Sequence, residues 1–218
     1  MNVRSFGNEE SNLVLIQLAD ERESASMERE VQLIRELTGR DFCFIAVIVD
    51  DWNRELSPWP APPVYGKEDF GSGADETLAW VLSNVILRAN AEENDKRRYI
   101  LGGYSLAGLF ALYSASKTDV FEGIVAASPS VWFPGFLAYA EENKINANHV
   151  YLSLGNKEEK AKNKVLASVG NCIRELAEYY DTVTDVTLEW NEGNHFAEPE
   201  VRMAKGFANV INKDLRGA

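Results

Sequence analysis

Tyr99-Ile100-Leu101-Gly102-Gly103-Tyr104-Ser105-Leu106-Ala107-Gly108-Leu109-Phe110-Ala111-Leu112 is the stretch that decides the fold of this chain. An apolar strand enters, a serine sits at a glycine-rich turn, and an apolar helix leaves. That is the context of a nucleophile elbow, G-x-S-x-G. Such a turn holds its serine in a strained backbone conformation and presses the residues at −2 and +2 together, so both must be small. Gly103 meets the requirement, and Ala107 stands where the motif has its second glycine. The first turn of the helix offers free backbone N–H groups and positive partial charge. Those suit the oxyanion formed when a carbonyl is attacked, and the N–H of Leu106 is the expected donor. The competing reading is a turn that binds phosphate or nothing.

Outward from the elbow, two kinds of segment alternate. Short apolar runs at Leu13–Ala19, Phe42–Val49, Tyr99–Leu101, Gly123–Ala127, Val150–Leu154 and Val186–Trp190 read as buried strands. Between them lie helical periodicities. Met27, Val31, Ile34 and Leu37 form one, with Ser26 as N-cap and Gly39 as stop. Leu78, Val81, Leu82, Val85 and Ile86 form another. Val165, Val169, Ile173, Leu176 and Tyr180 form a third, and Met203, Phe207, Val210 and Ile211 the last. The alternation predicts one α/β domain over 1–218, with a mostly parallel sheet and helices on both faces. The stretch Asp50–Gly73 holds Pro58, Pro60, Pro62 and Pro63, which argue against a regular element. Its place after a strand puts it at the end of the sheet where α/β proteins bind ligands.

Composition narrows the function. The net charge is −12, so the whole-molecule field repels nucleic-acid phosphates. No apolar run is long enough to span a membrane, and the polar N-terminus lacks the apolar segment of a signal peptide, so the expected location is the cytoplasm. Cys43 and Cys172, the two cysteines, have no Cys or His partner at metal-ligand spacing and read as reduced thiols. A homodimer is the default for any oligomer.

A serine nucleophile needs a base. The chain has two histidines, His149 and His195. His149 opens the run His-Val-Tyr-Leu-Ser-Leu and belongs at the wrong end of its strand. His195, in Glu192-Gly193-Asn194-His195-Phe196, follows the last strand and precedes the last helix, where an elbow serine finds its base. The carboxylate should fall between them in chain order. Strand Val150–Leu154 runs into Gly155-Asn156-Lys157-Glu158-Glu159, so Glu158 and Glu159 are the candidates.

These features resemble the esterase family of α/β-hydrolases that includes esterase D, feruloyl esterases, enterochelin-type siderophore esterases and mycolyltransferases. The resemblance rests on Arg54-Glu55-Leu56-Ser57-Pro58, the elbow, Ala127-Ser128-Pro129-Ser130-Val131-Trp132 and Gly193-Asn194-His195. It implies ester hydrolysis on an α/β-hydrolase fold and a Ser105–His195–Glu158 triad, because relatives carry Gly-x-x-acid after the acid-bearing strand. No stretch of the sequence is long enough for a separate lid domain. Relatives also carry a glycine after the first parallel strand, followed by the second oxyanion donor. Here Leu18-Ala19-Asp20-Glu21-Arg22 has no glycine, and an ungapped match puts that donor at the N–H of Glu21.

The expected chemistry is ester hydrolysis through an acyl-enzyme, with no metal or organic cofactor. Trp132, Trp52 and Trp59 are candidate pocket walls. The Asp50–Gly73 loop is the one segment available as cover, so a small or short-acyl ester is the expected substrate. An acyltransferase on the same triad and a non-catalytic binding protein on the same scaffold are the alternatives. The missing glycine favours the second alternative; the intact serine and histidine oppose it.

Overall fold

The computed structural model describes residues 1–64, 66–87 and 97–213. Tyr65, inside the proline-rich stretch, lies outside the described residues, as do residues 88–96 and 214–218 of the expected 1–218 span.

In chain order the strands are β1 (Asn2–Gly7), β2 (Leu13–Ala19), β3 (Cys43–Ile48), β4 (Arg98–Tyr104), β5 (Phe121–Ala127), β6 (His149–Gly155) and β7 (Asp185–Asn191). They form one seven-stranded sheet in the order β1-β3-β2-β4-β5-β6-β7. Every neighbouring pair is parallel except β1–β3. The six apolar runs became β2 to β7. The antiparallel edge strand β1 was not expected. Its residues are almost all exposed, so it carries no apolar run, and backbone pairing to β3 alone defines it.

The helices are α1 (Met27–Thr38), α2 (Trp52–Leu56), α3 (Ala74–Val81), α4 (Leu106–Lys117), α5 (Phe136–Glu142), α6 (Lys164–Ala167), α7 (Val169–Tyr180) and α8 (Pro199–Lys213). Side chains alternate across the sheet, and two apolar layers result. Val14, Ile16 and Leu18 face the layer built from α3, α4, α5 and α7, whereas Leu15 and Ala19 face α1 and α8. Both faces are covered, which explains why the central strands are apolar throughout.

Three local expectations need correction. Ser26 does not cap α1: its hydroxyl donates to the Glu23 carbonyl within a 3-10 turn at Glu23–Ser26, while Gly39 does end the helix at φ 62°. The helix expected over Val165–Tyr180 breaks at Ser168, and Val165 is exposed. The Asp50–Gly73 stretch begins with a short helix, α2, which ends before the first proline. Asp51 caps it by accepting from the N–H of Arg54.

Candidate active site

The elbow follows from local packing. Ser105 joins β4 to α4 at φ 57° and ψ −119°, a conformation L-residues avoid. Its surroundings hold it there. Its N–H donates to the Ala127 carbonyl at 3.0 Å, and its own carbonyl accepts from Ser130 at 3.0 Å. A Cβ on Gly103 would stand 2.3 Å from the Ala107 carbonyl carbon, so the −2 position must be glycine. Ala107 fits at +2 because its methyl lies over that missing Cβ.

Ser105 Oγ lies 3.0 Å from His195 Nε2, and His195 Nδ1 lies 2.8 Å from Glu158 Oε2. Three loops at the C-terminal ends of β4, β6 and β7 supply these groups. The β6 and β7 loops are fastened together: Asn156 N–H donates to Asn191 O, Lys157 N–H to Gly193 O, and Gly193 N–H to the Asn156 side chain. Gly155 and Gly193 permit this approach, since a Cβ on Gly155 would stand 2.5 Å from the Gly193 carbonyl oxygen.

Glu158 is buried, and its second oxygen is saturated. Oε1 accepts from Ser128 Oγ at 2.7 Å, Gly155 N–H at 2.7 Å and Arg202 at 2.9 Å. Burial works to raise its pKa. The hydrogen bond and charge of His195, then the bonds from Ser128 and Gly155, outweigh burial and hold it below the ordinary carboxylate value. An ionised carboxylate only accepts, so His195 Nδ1 carries the proton. Nε2 is then left with a lone pair toward the serine hydroxyl. Glu159 points elsewhere, to Arg174 at 2.8 Å. His149 pairs with Asp185 at 2.9 Å at the opposite end of the sheet.

Sequence reading missed Arg202, Tyr104 and Ser128. Arg202, on α8, is 2% exposed. Besides Glu158 it donates to Ser128 Oγ, Tyr104 Oη and the carbonyls of Glu192 and Asn194. Tyr104 Oη in turn donates to the His195 carbonyl at 2.8 Å. The available signal was a charged residue inside the buried face of the last helix, directly before Met203. Ser128, at φ 46°, lies in the Ser-Pro-Ser run already singled out.

The candidate pocket residues separate. Trp132 follows Ser130, whose hydroxyl is 3.5 Å from Ser105 Oγ, and packs edge-on against Phe70. Trp59 is taken up elsewhere. Its indole donates to Pro134 O, and its ring meets Tyr113, Phe133 and Tyr139, two turns along α4 from the serine. It anchors the proline loop. Trp52 opens α2 and packs on the core. Phe196 is 84% exposed, with its ring edge-on to His195.

Around the expected oxyanion loop, Leu18 pairs with Gly103, which sets the end of β2 alongside Ser105. The Asp20 carboxylate accepts the N–H groups of Arg22 and Glu23 at 2.8 Å each and closes the turn without a glycine. The Glu21 side chain reaches Arg4. No cluster of three or more His, Cys, Asp or Glu suited to a metal ion occurs among the described residues. Cys43 and Cys172 are unbridged.

The architecture is that of an α/β-hydrolase, with serine, histidine and carboxylate in register on its loops. Solved structures of that fold are similar along nearly the whole chain. An IroE-like serine hydrolase from Shewanella oneidensis matches with a TM-score of 0.75 at 16% identity, over 95% of this chain and 74% of that one. The siderophore hydrolase EstA from Aspergillus nidulans matches with a TM-score of 0.69 at 19% identity, over 94% and 84%. The enterobactin esterase Fes from Shigella flexneri matches with a TM-score of 0.69 at 16% identity, over 97% of this chain and 55% of that one. No protein-family model and no curated protein sequence matches the chain. No helix among the described residues is long and apolar enough to cross a membrane.

Proposed function

We propose that the chain is a serine carboxylic-ester hydrolase working through an acyl-enzyme. The observation that carries this reading is the unbroken run of hydrogen bonds from Ser105 Oγ through His195 to Glu158. Ser105 Oγ attacks the ester carbonyl as His195 Nε2 takes its proton. The tetrahedral oxyanion is received by the N–H of Leu106, at the start of α4, and by the N–H of Glu21. His195 then protonates the leaving alcohol, and water repeats the cycle to release the acid. Glu158 holds the productive tautomer and offsets the charge of the imidazolium. Neither a metal nor an organic cofactor enters these steps.

The His195 side chain is one-third exposed and Phe196 stands free beside it, which supports an open site handling small or short-acyl esters. Trp132 is the proposed wall on the Ser130 side. The siderophore hydrolases that share the fold add siderophore esters to the substrates to be tried. Purified protein assayed against p-nitrophenyl acetate, butyrate and palmitate, with and without added alcohols, tests the proposal. Acetate and butyrate should be turned over to free acid. Dominant transfer to the alcohol would make the enzyme an acyltransferase, and a preference for palmitate would contradict the open site.

A further inference from the structure

Phe196 follows His195 directly and is 84% exposed. A lone apolar side chain in water needs no explanation of its own. This one stands against the imidazole of His195, with ring centroids 5.3 Å apart and planes at 87°. A second ring, that of buried Tyr104, meets the same imidazole at 5.4 Å. The imidazole therefore has one aromatic neighbour in the protein interior and one in solvent.

The loop that carries Phe196 is pinned on both sides of it. The Phe196 N–H donates to Asn194 Oδ1 at 3.0 Å. The Asn194 carbonyl accepts from the Ala197 N–H at 3.1 Å and from Arg202 at 2.9 Å. The His195 carbonyl accepts from Tyr104 Oη at 2.8 Å. Gly193 at φ 99° and Glu198 at φ 50° turn the chain at either end. The backbone thus presents an apolar ring to water beside the group that must meet the leaving alcohol.

We propose that Phe196 is a specificity-determining residue that receives the apolar alcohol portion of the ester. The proposal rests on the esterase reading of the Ser105–His195–Glu158 run. As Ser105 Oγ bonds to the carbonyl carbon and the C–O bond to the alcohol breaks, His195 Nε2 passes the serine proton to the alcohol oxygen. That transfer needs Nε2 within about 3 Å of the oxygen. The alcohol therefore lies on the His195 side of the carbonyl, with the oxyanion toward Leu106 and the acyl group toward Ser130 and Trp132. An alkyl or aryl group beyond the alcohol oxygen covers the Phe196 ring and takes apolar surface out of water. A methyl group covers little of it. The occupant is substrate rather than a resident partner protein, because a body seated on Phe196 would also close the one-third of the His195 side chain that is open. The substrate class is an ester of a small acid with a larger apolar alcohol.

The test is steady-state hydrolysis of two ester series by wild-type protein, Phe196→Ala and Phe196→Tyr. Methyl, n-butyl and benzyl butyrate form the same acyl-enzyme and differ in the alcohol, so kcat/KM compares their acylation steps. Methyl acetate, butyrate and hexanoate differ in the acyl group. In wild type, kcat/KM should rise about tenfold or more from methyl to benzyl butyrate. In Phe196→Ala that ratio should fall by about fivefold or more, chiefly through a raised KM for benzyl butyrate. Phe196→Tyr, which keeps the ring, should keep the ratio, and the ratios within the acyl series should be the same in all three proteins. An unchanged benzyl-to-methyl ratio in Phe196→Ala, an equal loss on every ester, or a change confined to the acyl series would overturn the proposal. So would a wild-type dimer that Phe196→Ala converts to monomer in sedimentation, since the ring would then belong to an interface between copies. No hydrolysis of any ester by folded wild-type protein would overturn the esterase reading and this proposal with it. Hydrolysis with an unchanged ratio would overturn this proposal alone.

Discussion

Arg202 and Glu158 form a buried ion pair at 2.9 Å, and the other oxygen of the same carboxylate meets His195 at 2.8 Å. One guanidinium thereby grips the carboxylate and, through the Glu192 and Asn194 carbonyls, the loop that bears the histidine. The last helix locks the geometry of the site.

Removing that guanidinium leaves a buried carboxylate with fewer partners, so Arg202→Met should cost about 3–5 kcal/mol of stability. Arg202 touches no substrate in the proposed mechanism. It is a positioning residue, and the fall in turnover should exceed any change in KM. Denaturant unfolding and steady-state kinetics check both expectations. Wild-type stability and turnover would show that the pair is dispensable.

Glu158→Gln should separate the acid from its neighbour. The glutamine oxygen would take the place of Oε1, where three donors converge, and its amide N–H₂ would face His195 Nδ1. That contact forces the proton onto Nε2, which then cannot accept from Ser105. In serine proteases the wrong tautomer costs up to ~10⁴-fold in turnover. A loss of at least tens of fold is expected for Glu158→Gln. Little change is expected for Glu159→Gln, whose carboxylate pairs with Arg174 on the surface. Steady-state kinetics with p-nitrophenyl butyrate decides the ranking, and the reverse order would reassign the acid.

Stability should fall at both ends of the pH range, for opposite reasons. Glu158 is held below its unfolded value. Its contribution is present above that value and lost as pH falls through the lower, folded one. Glu23 and Glu30 are raised by burial. Their contribution is full below the unfolded value and declines as pH rises, for Glu23 through about 8. The unfolding midpoint should therefore drop as pH rises from about 4.5 to about 8. Glu30→Gln should flatten that decline and leave the acid limb unchanged. A decline equally steep in the variant would remove Glu30 from the account.

Trp59→Ala should cost stability, about 3 kcal/mol at the low end for a truncated tryptophan, with little change in kcat/KM. Trp132→Ala should do the opposite and chiefly raise KM. A large activity loss in Trp59→Ala would return Trp59 to the pocket.

The strands and the serine turn were legible in sequence because burial on both sheet faces writes continuous apolar runs and the elbow demands small residues at fixed positions. His195 was legible by chain order; the acid was legible only as Glu158 or Glu159, and the resemblance to the esterase family is what singled out Glu158. The edge strand β1 was not, because an exposed strand paired on one side leaves no apolar pattern. Arg202 was hidden for another reason. A buried arginine is recognised by its partners, and Tyr104, Ser128, Glu158 and Glu192 are brought to it by four separate loops or strands. Trp59 was ambiguous because an aromatic in a proline-rich loop fits an anchor and a pocket wall equally well, and only its contacts with Tyr113 and Tyr139 decide.

The central claim is that Ser105 is a nucleophile activated by His195. Intact-mass and peptide analysis after exposure to a fluorophosphonate tests it most directly. A single adduct on Ser105 is expected. It should be lost in a folded Ser105→Ala variant, together with ester hydrolysis, and greatly slowed in His195→Ala. An unmodified serine in folded wild-type protein, or full hydrolysis by Ser105→Ala, would contradict the account.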